Sequence, residues 1–416
     1  APAAGSEGAG EISVDDQLAG YGAAGVTGVS ADNLLAVNAQ LRLESSAANK
    51  NSVSEIEALV AKADTALALI EEYNNGDGST VLANSATTLT IPDYEAAGIV
   101  GVDANNLFSV NRVILAASTG SADSVGEIQA LANTGIQAQL DALAKISDFA
   151  DTLATSTETV AGDTDSYETL TLTVPSLTAN AGYTLKVGNV ILESGALDSD
   201  PSVGELITAL QSDAAYTLAP FTVAAHNTNA NDLVITFKNV GERNVVAELR
   251  SEMPAVIDYE NSGATGAAAE NLYAINDGLM ARTSTQTDST TEVQSLLNAA
   301  QTVYTTNLNT ILDYAEGTNT VKPSVRIYKL AGLTAVTEAS LSAVNKIVDA
   351  EDSSTINDFA TAETYVNNGV QAYEAALLKL ANYANEEANA ATPDLTDYET
   401  AGITGLQAGD IDMINA

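Results

Sequence analysis

Apolar residues along this chain recur at spacings of three and four over most of its length, and at spacings of two in one interior stretch. Val53, Ile56, Val60, Ala63, Leu67 and Ile70 step by three and four without a miss, and Val366, Val370, Tyr373, Leu377 and Leu380 do the same. A stripe of this kind on about 21 residues predicts an amphipathic helix of roughly 30 Å. Shorter stripes precede the long ones: Leu34, Val37 and Leu41, then Leu107, Val110 and Ile114. The long stripes end near an aromatic residue, Tyr73, Phe149, Tyr314 or Tyr383. Each long stripe is one face wide, so it should pack on two shorter helices of its own unit and close a small three-helix bundle.

The period changes between about Asp163 and Met253. Residues 169–174, 183–194, 221–226, 232–239 and 244–251 alternate apolar and polar positions, as half-buried strands do. Residues 201–210 between them read as one helix with its own capping signal. A small α+β domain with an antiparallel sheet, residues 160–253, is the natural assignment.

Self-similarity organises the rest. One motif starts at Tyr21, Tyr94, Tyr259, Tyr328 and Tyr398. Glycine falls four residues later each time (Gly25, Gly98, Gly263, Gly332, Gly402), and asparagine seventeen later (Asn38, Asn111, Asn276, Asn345, Asn415). A second glycine, seven after the tyrosine, is replaced in the fourth copy by Ala335. Each tyrosine should start a short helical turn that the first glycine ends, because glycine accepts the left-handed conformation found at helix C-termini. Ser30, Asp103 and Thr337 are placed to cap the next helix. The repeated asparagine is read as a side chain bonding a loop carbonyl, with a ligand role as the alternative.

Successive tyrosines lie 73, 165, 69 and 70 residues apart, which gives a unit of about 70 residues and one insertion of about 95. The predicted organisation is an N-terminal linker (1–13), helical repeats at 14–90 and 91–159, the inserted domain, helical repeats at 254–324 and 325–394, and a partial repeat at 395–416. Strung together, such units predict an elongated rod, mainly α with one α+β insertion. The fifth unit stops after Asn415 without a long helix. If that end is natural, it should expose Ile403, Leu406, Ile411, Met413 and Ile414, a face that a neighbouring subunit would complete head to tail; a proteolytic boundary is the competing reading. The opening residues fit either a stretch that followed a signal peptide or an internal linker.

Composition narrows the function. The 416 residues hold 55 acidic against 15 basic side chains, a net charge of −40, with 5% aromatic residues and no tryptophan. Affinity for phosphate backbones comes from Lys and Arg releasing counterions, so nucleic acid is a poor partner, and anionic membrane surfaces are disfavoured for the same reason. The acidity fits a solvated, mutually repulsive surface protein as well as a saline habitat. No run of about 18 apolar residues is present, so no transmembrane segment is predicted.

The absence of cysteine removes disulfides, thiolate metal sites and cysteine nucleophiles. The one histidine, His226, sits at a predicted strand end with no nucleophile elbow elsewhere, and a zinc site needs more than one histidine when there is no cysteine. No phosphate-cradling loop appears. No catalytic residue is assigned, and the chain reads as a non-enzyme. Ca²⁺ is the one ligand worth carrying, since hard cations want clustered oxygens: Asp77, Asp163, Asp165, Asp198 and Asp200 are weak candidates in short polar turns. None completes an EF-hand loop, and solvated turns are the competing reading.

The motif Tyr-x-x-x-Gly-(Ile/Val)-Thr-Gly, followed by Asn-Leu-x-x-Val-Asn, resembles repeats of very large surface proteins of marine gammaproteobacteria, both adhesins and surface-layer-like proteins. More loosely, the tyrosine–glycine turn and the asparagine-bearing helix are similar to three-helix GA modules, although the unit here is longer and lacks their basic residues. The resemblance implies secretion, display at the cell surface and a non-catalytic role. The expected function is therefore structural: self-association into a surface layer or filament, or the stalk of a large adhesin. The alternative is a binding module whose inserted domain recognises a glycan or a protein.

Overall fold

In the computed structural model the chain is mainly helical, with 54% helix and two small antiparallel sheets in an inserted region, 154–251. The structure describes residues 13–76, 88–160, 167–188, 190–227, 229, 231–240, 245–352, 354–385, 390–403 and 405–416. Contacts divide the chain into two bodies, residues 1–142 with 260–263, and residues 143–259 with 264–416.

The first body holds α1 (Val14–Ala23), α2 (Leu34–Leu43), α3 (Val53–Asn75), α4 (Ile91–Ala96), α5 (Leu107–Ala116) and most of α6 (Val125–Ala150). The starts are set by side chains that satisfy the free amides of a first turn. Ser52 and Glu55 form a capping box on α3, Thr90 and Asp93 form one on α4, and Ser124 accepts the Glu127 amide at the head of α6. One core joins Val26, Ala36 and Val37 to Val60, Ala63 and Ile70 of α3, and continues into Tyr94, Ile99, Val110, Ile114, Ile128 and Ala132. Here α3 departs from the predicted arrangement of one bundle per unit. At 23 residues it outruns the 10-residue α2. Its C-terminal half, ending in Tyr73, therefore buries its stripe in the same core as Tyr94 and Val110 of the following segment.

In the second body the inserted region comes first. Its strands are β1 (Ala154–Thr155), β2 (Thr157–Val160), β3 (Tyr167–Thr173), β4 (Tyr183–Val187) and β5 (Val190–Glu193). After α7 (Val203–Ser212) come β6 (Phe221–Ala225), β7 (Asp232–Val240) and β8 (Ala247–Ser251). In place of the single sheet predicted from the alternation there are two, ordered β1-β8-β4-β5 and β2-β3-β7-β6. They begin at Ala154, ahead of the predicted border at 160; β1 and β2 are too short and too polar to carry an alternating signal. Leu185, Leu192 and Leu249 of one sheet meet Leu172, Phe221 and Ile235 of the other, and Leu206 and Leu210 of α7 complete that core.

The second body continues with α8 (Val256–Asn261), α9 (Leu272–Leu279), α10 (Thr290–Ala315), α11 (Val325–Leu330), α12 (Leu341–Val348), α13 (Phe359–Ala384), α14 (Leu395–Thr400) and α15 (Ile411–Ile414). Its helical cores straddle segments in the same way. Ile146 and Phe149 at the end of α6 pack with Tyr259, Ile275, Val293 and Leu296. Ile311 and Tyr314 at the end of α10 pack with Tyr328, Val344 and Val366. The α13 stripe needs one correction, since Leu377 is 41% exposed. The buried seam runs through Ala362, Val366, Gly369 and Ala376.

Candidate functional site

The residues singled out by the repeat come together five times among the described residues, in the same way. Each tyrosine hydroxyl donates to the Oδ1 of the asparagine seventeen residues on. The distances are 2.7 Å for Tyr21–Asn38, 2.6 Å for Tyr94–Asn111, 2.5 Å for Tyr259–Asn276, 2.8 Å for Tyr328–Asn345 and 2.5 Å for Tyr398–Asn415. The amide nitrogen of the same asparagine donates to a carbonyl five residues before the tyrosine: Leu89, Pro254, Pro323 or Pro393, at 2.7–3.1 Å. In the first segment Asn38 donates instead to Gln17 Oε1 at 2.9 Å. In four of the five segments the asparagine thus bonds a loop carbonyl, and in all five it also holds its own tyrosine, which the sequence did not reveal. Burial pushes the Tyr94, Tyr259 and Tyr328 hydroxyls far above the ordinary tyrosine value, so they stay protonated donors.

The first glycine has two duties. It adopts positive φ in all five segments, from +75° to +84°, and ends the short helix. In three segments it also presses on a neighbouring backbone. A methyl group on Gly98 would sit 2.7 Å from the Leu35 carbonyl oxygen, and one on Gly263 2.0 Å from that of Asn105. On Gly332 it would sit 2.1 Å from the Glu270 carbonyl oxygen, whereas at Gly402 the gap to Ala339 opens to 3.5 Å. The second glycine also takes positive φ (Gly28, Gly101, Gly266, Gly405), while Ala335 does not.

The capping assignment shifts by three residues. The helices start at Leu34, Leu107 and Leu341, behind Asn33, Asn106 and Ser340. Asp103 and Thr337 cap the preceding turn: Asp103 Oδ1 accepts the Asn105 and Asn106 amides, and Thr337 Oγ1 accepts that of Ser340. Ser30 gives its amide to Asn33 Oδ1. Asn33, Asn106 and Asn271 form a second buried set, twelve residues after the tyrosine. Each accepts one turn amide and donates to the carbonyl of Gly28, Gly101 or Gly266. The fourth and fifth copies carry Ser340 and Asp410 at this position, so the set is marked in the sequence by three copies of the five.

A further cluster, unmarked in the sequence, fixes the inserted region. Arg250 on β8 is buried. Its Nη1 donates to the carbonyls of Phe149 (3.1 Å) and Ala150 (2.6 Å), and its Nη2 to that of Met280 (3.1 Å) and to Glu248 Oε2 (2.9 Å). Phe149 and Ala150 end α6, where carbonyls lack intrahelical partners and the helix dipole is negative, so a planar cation with several donors suits them. Lys145 pairs with Asp258 (3.0 Å) and Glu252 (3.5 Å). Burial pulls Lys145 down, but its bond and charge pairing with these acids outweigh that and hold it above the usual lysine value. Asp151 accepts the Ser284 amide at 2.8 Å, which holds its carboxyl below the ordinary range.

The remaining candidates stay apart. Asp198 and Asp200 are exposed, and Asp198 Oδ1 accepts the Asp200 amide in a tight turn. Asp77, Asp163 and Asp165 lie outside the described residues. Among the described residues no group of three or more His, Asp or Glu side chains is gathered as a metal ion would need. His226 follows β6, and its amide donates to the Asp232 carbonyl. Among the described residues no helix is long and apolar enough to cross a membrane.

Around the fifth segment, Ile403 and Ile414 are each 42% exposed and Met413 is 76% exposed. Their counterparts Ile99 and Val110, or Leu333 and Val344, are buried. An open groove of about 660 Å³ beside them is lined by Leu380, Tyr383, Tyr398 and Asn415. No known protein family, curated protein or solved structure matches the chain.

Proposed function

We propose that this chain is a secreted, non-enzymatic structural protein of the bacterial cell surface. Its tandem helical modules of about 70 residues build a surface layer or filament, or the stalk of a large adhesin. The observation that carries this reading is one tyrosine–asparagine bond that recurs in all five segments, extended to a loop carbonyl in four of them, with the adjoining glycine pressed on a neighbouring backbone in three. A chain that spends its buried polar groups on identical joints is built for repetition. The net charge of −40 supports display in water over contact with nucleic acid. Negative-stain microscopy of the purified chain, with and without Ca²⁺, tests it. Ordered sheets or fibres are expected, and dispersed particles at every concentration would remove assembly and leave the stalk.

A second reading places recognition of a glycan or protein in the inserted domain. It is favoured by that domain's separate core and by the Arg250 and Lys145 contacts, which hold it at one attitude to the helices beside it. Arrays of glycans and surface proteins probed with the full chain, against a chain lacking the insertion, test this reading.

A further inference from the structure

The inserted region interrupts the helical chain between α6 and α8, yet the two ends of the interruption are fastened to each other. The Leu153 amide donates to the Leu249 carbonyl and the Ser156 amide to that of Ala247, both at 2.8 Å. In register, Ala154 faces Leu249 and Thr155 faces Glu248. Outside this pairing, on the side of the helices, lies a second set of ties. Lys145 of α6 bonds Asp258 of α8, Arg250 bonds the last carbonyls of α6, and Asp151 bonds the Ser284 amide.

We infer that Arg250 and Lys145 form a mechanical bypass: tension along the chain passes from α6 directly into α8 and the helices after it, and the inserted domain carries none. The geometry decides the order of events. β1 and β8 are adjacent antiparallel strands whose outer ends face the helices, so a pull on Ala150 and Val256 would open them one hydrogen bond at a time. That is the weakest way to load a sheet. The three carbonyls held by one guanidinium, with the Phe149 ring 6.0 Å from its carbon, must all be released before this pull begins. The α6 carbonyls are released only when the end of α6 leaves its core with Tyr259, Ile275 and Val293. The inserted domain therefore unfolds with or after the flanking helices. A displayed domain would stay folded while its support is stretched.

This goes beyond the surface-protein reading and is measured independently of it, since the order of unfolding stands whether or not the chain assembles. The test is single-molecule stretching of the full chain by its two ends. In the wild type, the extension step of about 350 Å from about 100 inserted residues should never precede the helical steps. In Arg250→Gln that step should come first, as a separate event at lower force. The chain has no cysteine, so a disulfide placed by Thr155→Cys and Glu248→Cys in the Arg250→Gln background, where Glu248 has lost its partner, should abolish the early step. Reduction should restore it. Circular dichroism matching the wild type confirms that the variants fold. An insertion that opens first in the wild type, or an order unchanged by Arg250→Gln, overturns the bypass. So does an early step that survives the disulfide.

Discussion

Tyr328 donates its hydroxyl proton to Asn345 Oδ1 at 2.8 Å, and Asn345 passes the constraint on by donating to the Pro323 carbonyl at 3.0 Å. All of this occurs out of contact with water, and both side chains are buried. Tyr328→Phe removes one donor and leaves Asn345 with its carbonyl bond, so a loss of about 1–2 kcal/mol is expected. Asn345→Ala strands both the tyrosine hydroxyl and the Pro323 carbonyl, and should cost about 3 kcal/mol or more. Denaturant titrations of the two variants and the double variant check this. The double variant should cost less than the sum of the singles, because the two residues act on one bond.

The same staples make stability sensitive to alkali. Folded Tyr94, Tyr259 and Tyr328 hold their protons to higher pH than the ordinary value of 10.0, because burial penalises the phenolate. Above that value the unfolded chain loses these protons while the folded chain keeps them, so unfolding is favoured as pH rises. Their contribution is fully present below pH 10 and declines steadily beyond it. Phenolate absorbance followed alongside circular dichroism should show the buried tyrosines ionising in the same step that removes the helices. Ionisation of every tyrosine at its ordinary value, with helices intact, would contradict the buried staples.

Much of this was readable from the sequence, and the reasons differ by residue. Gly25, Gly98, Gly263, Gly332 and Gly402 announced a left-handed turn because few other residues tolerate one. β3 and β7 were legible because one face of each is buried, which writes alternation into the chain. β1 and β2 were not, since two and four mostly polar residues hold no period. The tyrosine–asparagine bond was missed because a spacing of seventeen has no local geometry and depends on how two helices cross. Arg250 was missed because its partners are the backbone carbonyls of residues about 100 positions before it and 30 after. Carbonyl acceptors leave no mark on residue identity.

Gly266 and Gly332 should differ in what they tolerate. Gly266 has φ +96°, and a methyl group there would meet nothing within 4 Å. Gly266→Ala should therefore cost only the left-handed backbone term, about 1–2 kcal/mol. Gly332 has φ +81°, and its methyl would lie 2.1 Å from the Glu270 carbonyl oxygen. Gly332→Ala carries the same backbone term, and the two backbones must also move apart, so a loss at least twice as large is expected. Thermal unfolding of both variants decides the comparison, and equal losses would mean that the Glu270 contact imposes no constraint.

With 55 acidic and 15 basic side chains, the folded chain repels itself, and the repulsion is shortened by salt. The screening length falls from about 10 Å at 0.1 M to about 3 Å at 1 M, so the thermal midpoint should rise steadily with NaCl over that range. Ca²⁺ and Mg²⁺ act by the same route if they only screen. Asp198 spends one carboxylate oxygen on the Asp200 amide, and no described trio of acids converges. The two cations should then raise the midpoint equally at equal concentration. Scanning calorimetry with matched CaCl₂ and MgCl₂ measures the difference. A Ca²⁺ excess that disappears in Asp198→Asn would show a bound ion at that turn and overturn the screening account.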